Sequence, residues 1–181
     1  TGRWEITSET GPLKDVLLGP AESFRWMGLE NAAWSSLVRD TLRKGYKFDK
    51  QLAMRQHREM VDAYNQAGVT THFLPLDMTN PYQVYARDSS FMSPYGAVVC
   101  QLANPRRRGE YAAVLRFYLE NDIPIYDMVS AGNFEGGDFN ILRDGLALVG
   151  YTDHRSEEVA AQQIAQWFIK EGWEIKFAPI D

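Results

Sequence analysis

The chain has 181 residues, 45% apolar, 13% aromatic and 24% charged, the profile of a globular protein long enough for one domain with a core. Nineteen Lys and Arg stand against 24 Asp and Glu, a net charge of -5 without the basic excess that nucleic acid demands. No apolar run approaches the roughly 18 residues of a membrane helix, the polar start from Thr1 to Thr10 is unlike a signal peptide, and the single Cys100 excludes an internal disulfide framework. The expected compartment is the reducing cytoplasm. The missing initiator Met and an end that coincides with a strand raise the expectation that this is a piece of a longer polypeptide.

In chain order, residues 15–18 read as a strand, and residues 19–46 form a long insert containing Phe24, Trp26, Met27 and Trp34. A short helix is expected over 32–42, and the insert is either a surface elaboration or a lid over a substrate. Ala53, Met60, Val61 and Tyr64 recur at helical spacing, Gly68 stops that helix, and 71–76 is a strand. Extended sequence follows over 83–93 and 97–102. Then Tyr111, Val114, Leu115 and Tyr118 mark a second helix, Asn121-Asp122 a turn, and 123–128 a strand. Residues 139–142 and 146–151 are strands. A third helix has Ser156 as its cap, Glu157 and Glu158 in its first turn, and Val159, Ile164, Trp167 and Phe168 on one face; Gly172 ends it before a strand over 173–177.

The chain therefore reads as an α/β protein in which one unit, strand, strand, helix, strand, occurs about three times, over 13–77, 82–129 and 133–181, within a single domain. Three such units do not close on themselves, so their exposed apolar edges call for further units, a partner surface or self-association into a homo-oligomer.

Three clusters carry candidate chemistry. In Asn133-Phe134-Glu135-Gly136-Gly137-Asp138 two glycines between two carboxylates let the backbone turn and bring both acids to one small space, although such a run also serves as a structural turn. In Tyr85-Ala86-Arg87-Asp88 strand alternation puts Arg87 and Asp88 on opposite faces, so an inward Asp88 needs a cation from the protein or a ligand; the alternative is a strand that frays into solvent. Arg106-Arg107-Arg108 and Arg155 are either solvated surface charge or guanidiniums that fork onto a small carboxylate. His57 reads as a histidine at the core edge, Cys100 as a small buried hydrophobe, and the three histidines lack metal-ligand spacing, so neither metal nor cofactor is expected.

With these clusters in this order, the chain resembles the guanidino-group-modifying superfamily of arginine deiminases, dimethylarginine dimethylaminohydrolases and amidinotransferases. Tyr85-Ala86-Arg87-Asp88 is similar to its aromatic-x-Arg-Asp motif and Glu135-Gly136-Gly137-Asp138 to its Glu-Gly-Gly-Asp motif. The resemblance implies a five-bladed α/β propeller, the pentein fold, of which this chain holds about three fifths. It implies a hydrolase or transferase acting on the guanidino carbon of arginine or an arginine-like small molecule. In it, Asp88 and Glu135 act as the catalytic carboxylates on the substrate guanidinium, Asp138 supports the turn, and Arg107 and Arg155 bind a substrate carboxylate. Arg155 reaches its position only with one extra residue in the turn from Gly150. At Tyr82 several relatives place Asn or Asp for substrate contact. A cysteine thiolate and a histidine complete the family mechanism through a covalent thiouronium, and both would follow Asp181, leaving this piece inactive alone. The alternative reading is a non-catalytic binding module of the same fold.

Overall fold

The computed structural model describes residues 4–26 and 36–180. Three small sheets follow one another along the chain. The first is a parallel pair of β1 (Asp15–Leu18) and β2 (Thr70–Phe73), joined through α1 (Ser36–Arg43) and α2 (Lys50–Gln66). The second has the order β3 (Ser90–Ser93), β4 (Gly96–Val99), β5 (Ile125–Met128), antiparallel and then parallel, with α4 (Glu110–Glu120) as the crossover. The third repeats that order with β6 (Phe139–Arg143), β7 (Leu146–Tyr151) and β8 (Glu174–Pro179) around α5 (Glu158–Lys170). A one-turn helix, α3 (Ala86–Ser89), leads into β3.

Strand, strand, helix, strand thus describes the second and third sheets, while the first, among the described residues, holds two strands without an opening one. Of the insert, α1 overlaps the expected 32–42 helix and runs one residue past it; Met27, Trp34 and the start of that helix lie outside the described residues. Strand β5 begins at Ile125 rather than 123, because Pro124 has no N–H for the ladder and offers only its carbonyl, to Ala97 N. The expected strand over 83–93 is also interrupted. Successive turn bonds from Tyr85 N to Tyr82 O and from Asp88 N to Tyr85 O coil 82–89, and pairing starts only at Ser90.

Alternation along β4 organises the packing. Ala97 and Val99 face one cluster with Leu74, Val114, Phe117, Tyr118 and Ile123; Val98 and Cys100 face another with Phe91, Phe134, Phe139, Ile164 and Phe168. Each cluster therefore joins neighbouring sheets, as stacked units require. At the centre of the second, the Phe91 and Phe139 rings stack at 4.2 Å and Phe168 lies 4.8 Å from Phe139.

Helices α4 and α5 turn slightly from their expected faces. On α4 the buried set is Glu110, Ala113, Val114, Phe117 and Tyr118, with Tyr111 exposed; on α5 it is Ala160, Ala161, Ile164, Ala165 and Phe168, with Val159 exposed. Small alanines allow close approach to the sheet where the sequence pattern favoured larger side chains. No described helix is long and apolar enough to cross a membrane.

Candidate guanidinium site

The two acidic motifs meet. The turn Gly136–Asp138 packs directly against α3, with a fit that explains Gly136: a Cβ there would lie 2.5 Å from Arg87 O and 2.7 Å from Ser90 O, both backbone atoms. A Cβ on Gly137 would approach Asp88 Oδ1 at 3.5 Å, so the Asp88 carboxylate borders the same turn. Replacing Gly136 by Ala should cost about 1–3 kcal/mol and lower Tm by roughly 2–12 °C, since neither carbonyl can yield without moving α3 or the start of β3. An unchanged Tm would show that the motifs do not pack this tightly.

Helix α3 sends its charges apart. Arg87 Nη2 donates to Glu9 Oε1 at 3.1 Å and to Phe139 O at 3.0 Å, while Asp88 Oδ2 accepts from Arg107 Nη1 at 2.7 Å. Asp88 therefore has a protein cation, where the resemblance implied an anion reserved for substrate. Arg107 differs as well from an arginine presented to a substrate carboxylate. Its side chain is only 6% exposed, and Nε and Nη2 fork onto Glu110 Oε1 and Oε2, both at 2.9 Å. Nη2 also donates to Tyr85 O at 3.3 Å, and the guanidinium carbon sits 5.6 Å from the Tyr85 ring centroid. Burial alone would lower the pKa of Arg107, but Glu110 and Asp88 outweigh it and raise it. Glu110, 1% exposed, has its own pKa raised by burial against the opposing pull of Arg107.

The turn side is built similarly. Glu135, 9% exposed, accepts from Arg155 Nε at Oε1 and lies 2.9 Å from Arg155 Nη2 at Oε2, while Arg155 itself is 61% exposed. Ser156, expected as the cap of α5, is used elsewhere: its Oγ accepts from Glu135 N at 2.9 Å and donates to Asp138 Oδ2. The N-cap of α5 is Glu157, which makes no capping bond; its Oε2 accepts from Asn133 N and Nδ2. Asp138 holds Ser156, and Ser156 holds the backbone of Glu135. Arg108, next to Arg107, donates to Asn133 Oδ1 at 3.1 Å. Tyr82 is half-buried, its ring 6.4 Å from Phe24, and no hydrogen bond ties its side chain to Asp88 or Glu135.

Sequence patterns do not single out Glu110, and they mark Ser156 and Glu157 only as a helix cap and a first-turn acid, not for the bonds they make here. Their signal is position at a helix start, Glu110 in the first turn of α4 and Ser156 and Glu157 just ahead of α5, which also fits ordinary capping and dipole compensation. Cys100 lies beneath the site: burial, reinforced by the negative charge of Asp88, raises its thiol pKa, so it is no thiolate nucleophile. A cavity of about 320 Å³ beside it, lined by residues including Cys100, Gln101, Arg108 and Tyr111, does not include Asp88 or Glu135.

Burial raises the pKa of Glu135, Arg155 lowers it, and the Asp88 charge raises it again. With the folded pKa above the unfolded one, Glu135 contributes stability that is fully present at low pH and is lost as pH rises through its folded pKa. A carbon-detected titration should place its midpoint above the ordinary glutamate value of about 4.3; a midpoint at or below that value would contradict this environment.

Two carboxylates on either side of a glycine turn, each steered by an arginine, present acceptor oxygens suited to the planar N–H groups of a guanidinium. Residues 25–177 match the family model described as N,N dimethylarginine dimethylhydrolase, eukaryotic. The chain belongs to that family. As a family member it shares 27% identity over 143 residues, 79% of its length and 47% of the other's, with the uncharacterized protein YkgA of Bacillus subtilis (strain 168). Its fold matches dimethylarginine dimethylaminohydrolase from Pseudomonas aeruginosa, solved as a cysteine-to-serine mutant with citrulline, with TM-score 0.71 and 20% identity over 93% of this chain and 62% of that one. It also matches the substrate-bound N-terminal domain of ArgZ, a cyanobacterial arginine dihydrolase (TM-score 0.73, 16% identity, 92% and 58% covered), and SxtG, an amidinotransferase of Microseira wollei (TM-score 0.70, 13% identity, 96% and 63% covered). The family member described here thus spans about half of YkgA and about three fifths of these structures, and the likenesses show that it shares their α/β fold.

Proposed function

We propose that the chain is the substrate-binding part of an enzyme that acts on the guanidino carbon of arginine or an arginine-like small molecule, as a hydrolase or amidinotransferase. The observation that carries this reading is the packing of α3 against the Gly136–Asp138 turn, which sets the Asp88 carboxylate beside Gly137, two residues from Glu135. Asp88 and Glu135 take the guanidinium nitrogens, with Arg155 and Tyr82 at the rim and Arg107 behind Asp88. Held this way, the planar guanidinium presents its carbon to a nucleophile.

The nucleophile is a cysteine thiolate other than the buried Cys100. It adds to the guanidinium carbon; a histidine protonates the departing amine as the C–N bond breaks; and water or an acceptor amine then displaces the sulfur from the thiouronium. Both groups belong to a further part of the whole protein, which completes a five-bladed propeller begun by the units 13–77, 82–129 and 133–181. The protein works in the cytoplasm, without metal or cofactor, and its sheet edges favour a homo-oligomer. Turnover of arginine, dimethylarginine and agmatine by the whole protein tests the reading: citrulline, ornithine with urea, or a transferred amidino group should form from the amino acids, and carbamoylputrescine, putrescine with urea, or a transferred amidino group from agmatine, and thiol alkylation should stop it. Binding of these compounds without any turnover would support the non-catalytic module instead.

A further inference from the structure

We infer that Arg155 is an internal competitor of the substrate: its guanidinium occupies the edge of Glu135 that a substrate guanidinium takes, must leave before Asp88 and Glu135 can share a ligand, and thereby selects for guanidino compounds that carry an anion for Arg155 in exchange. The inference rests on the reading that Asp88 and Glu135 receive a guanidinium, and it makes Arg155 a residue that sets specificity there.

Arg155 Nε and Nη2 meet Glu135 Oε1 and Oε2, both at 2.9 Å, in the two-pronged fork that a ligand guanidinium would make. Each oxygen keeps a second lone pair, but a carboxylate offers that fork along one edge, and a second guanidinium beside the first would set like charges together. Asp88 is placed differently. Arg107 takes its Oδ2, while Oδ1 borders Gly137. A guanidinium therefore meets Asp88 with Arg107 left in place, and forks onto Glu135 only after Arg155 has gone.

The two arginines also differ in their freedom to leave. Arg107 is buried and bound to Glu110, Asp88 and Tyr85 O, whereas the Arg155 side chain is exposed. The backbone beneath it is pinned, with Arg155 N donating to Thr152 Oγ1 at 3.1 Å and Ser156 Oγ holding Glu135 N. The exchange is thus a rotamer change over a fixed turn, fast beside any catalytic step. Once displaced, Arg155 presents its fork to a ligand carboxylate, so an amino acid compensates for the broken pair. An alkylguanidine with no charge at its far end does not, and is rejected by that difference.

The test measures calorimetric Kd values of methylguanidine and butylguanidine, and kcat/KM for the better of arginine and dimethylarginine, with the whole protein. It is run at pH 8, because removing Arg155 takes away an influence that lowers the Glu135 pKa. Arg155→Met should tighten both alkylguanidines by about two- to fivefold and lower kcat/KM for the amino acid by about tenfold or more. Arg155→Lys keeps the charge but cannot fork onto both oxygens, and should move each value the same way by less; it decides alone if Arg155→Met does not fold. Alkylguanidines bound no tighter by the variants, as expected if Arg155 stays on Glu135 and bridges to the ligand through Nη1, overturn this inference and leave the guanidino reading standing. Tightening by Arg155→Met without any by Arg155→Lys does the same, since charge alone then explains it. No alkylguanidine binding and no amino-acid turnover by the unmodified protein overturn both.

Discussion

Arg107→Met should lower stability by about 3–5 kcal/mol, the usual consequence of leaving one partner of a buried ion pair alone. Glu110 is 1% exposed and accepts the Arg107 fork at two oxygens, so without the guanidinium it has neither water nor a cation. Thermal unfolding should shift down by roughly 6–20 °C. Two further readouts separate this cause from a general packing defect. Adding Glu110→Met should restore most of the loss, because two apolar side chains then fill a buried space that no longer holds a charge. Acidification should also shrink the loss in the single variant. The raised pKa of Glu110 rises further once Arg107 is gone, and a protonated Glu110 no longer requires a cation. An Arg107→Met protein with native Tm at neutral pH would show that the Glu110–Arg107–Asp88 chain does not exist as described.

Asp88→Asn should be modest in stability and severe in turnover. The side chain keeps its shape, and Arg107 retains its two bonds to Glu110, so unfolding should shift by no more than the roughly 1.5–3 kcal/mol of one hydrogen bond to a charged group. Towards a guanidinium, however, an amide replaces one acceptor oxygen with a donor and removes the charge. Loss of a charged partner in a desolvated site costs about 2–5 kcal/mol, which corresponds to a fall of about thirtyfold or more in kcat/KM for the whole protein. Loss of turnover in proportion to lost folded protein would instead assign Asp88 a structural role alone.

The repeat and the two acidic motifs were readable because each rests on local chemistry. Helical spacing ended by Gly68 and Gly172, apolar runs such as 97–100, and a Gly-Gly pair between acids keep their meaning wherever the chain goes. The closeness of the motifs was not readable. It depends on the backbone of α3 meeting a glycine 49 positions later in the sequence, and on β4 being buried on both faces so that the two sheets stack. The roles of the arginines also escaped local reading. Whether Arg107 faces a ligand or Glu110 is decided by which side of α4 turns inward, and that face, set by Ala113 and Phe117, departs from the one that Tyr111 and Leu115 suggested. Ser156 illustrates the same limit. A serine ahead of a helix reads as a cap, yet a longer-range demand from Glu135 N and Asp138 claims its hydroxyl.

The most direct test of the central claim is a crystal structure of the whole protein with a bound guanidino compound, agmatine or arginine. The account predicts guanidino nitrogens within hydrogen-bond distance of both Asp88 and Glu135, beside the Gly136-Gly137 turn. A ligand bound elsewhere, with Asp88 still closed on Arg107 and Glu135 still closed on Arg155, would contradict it.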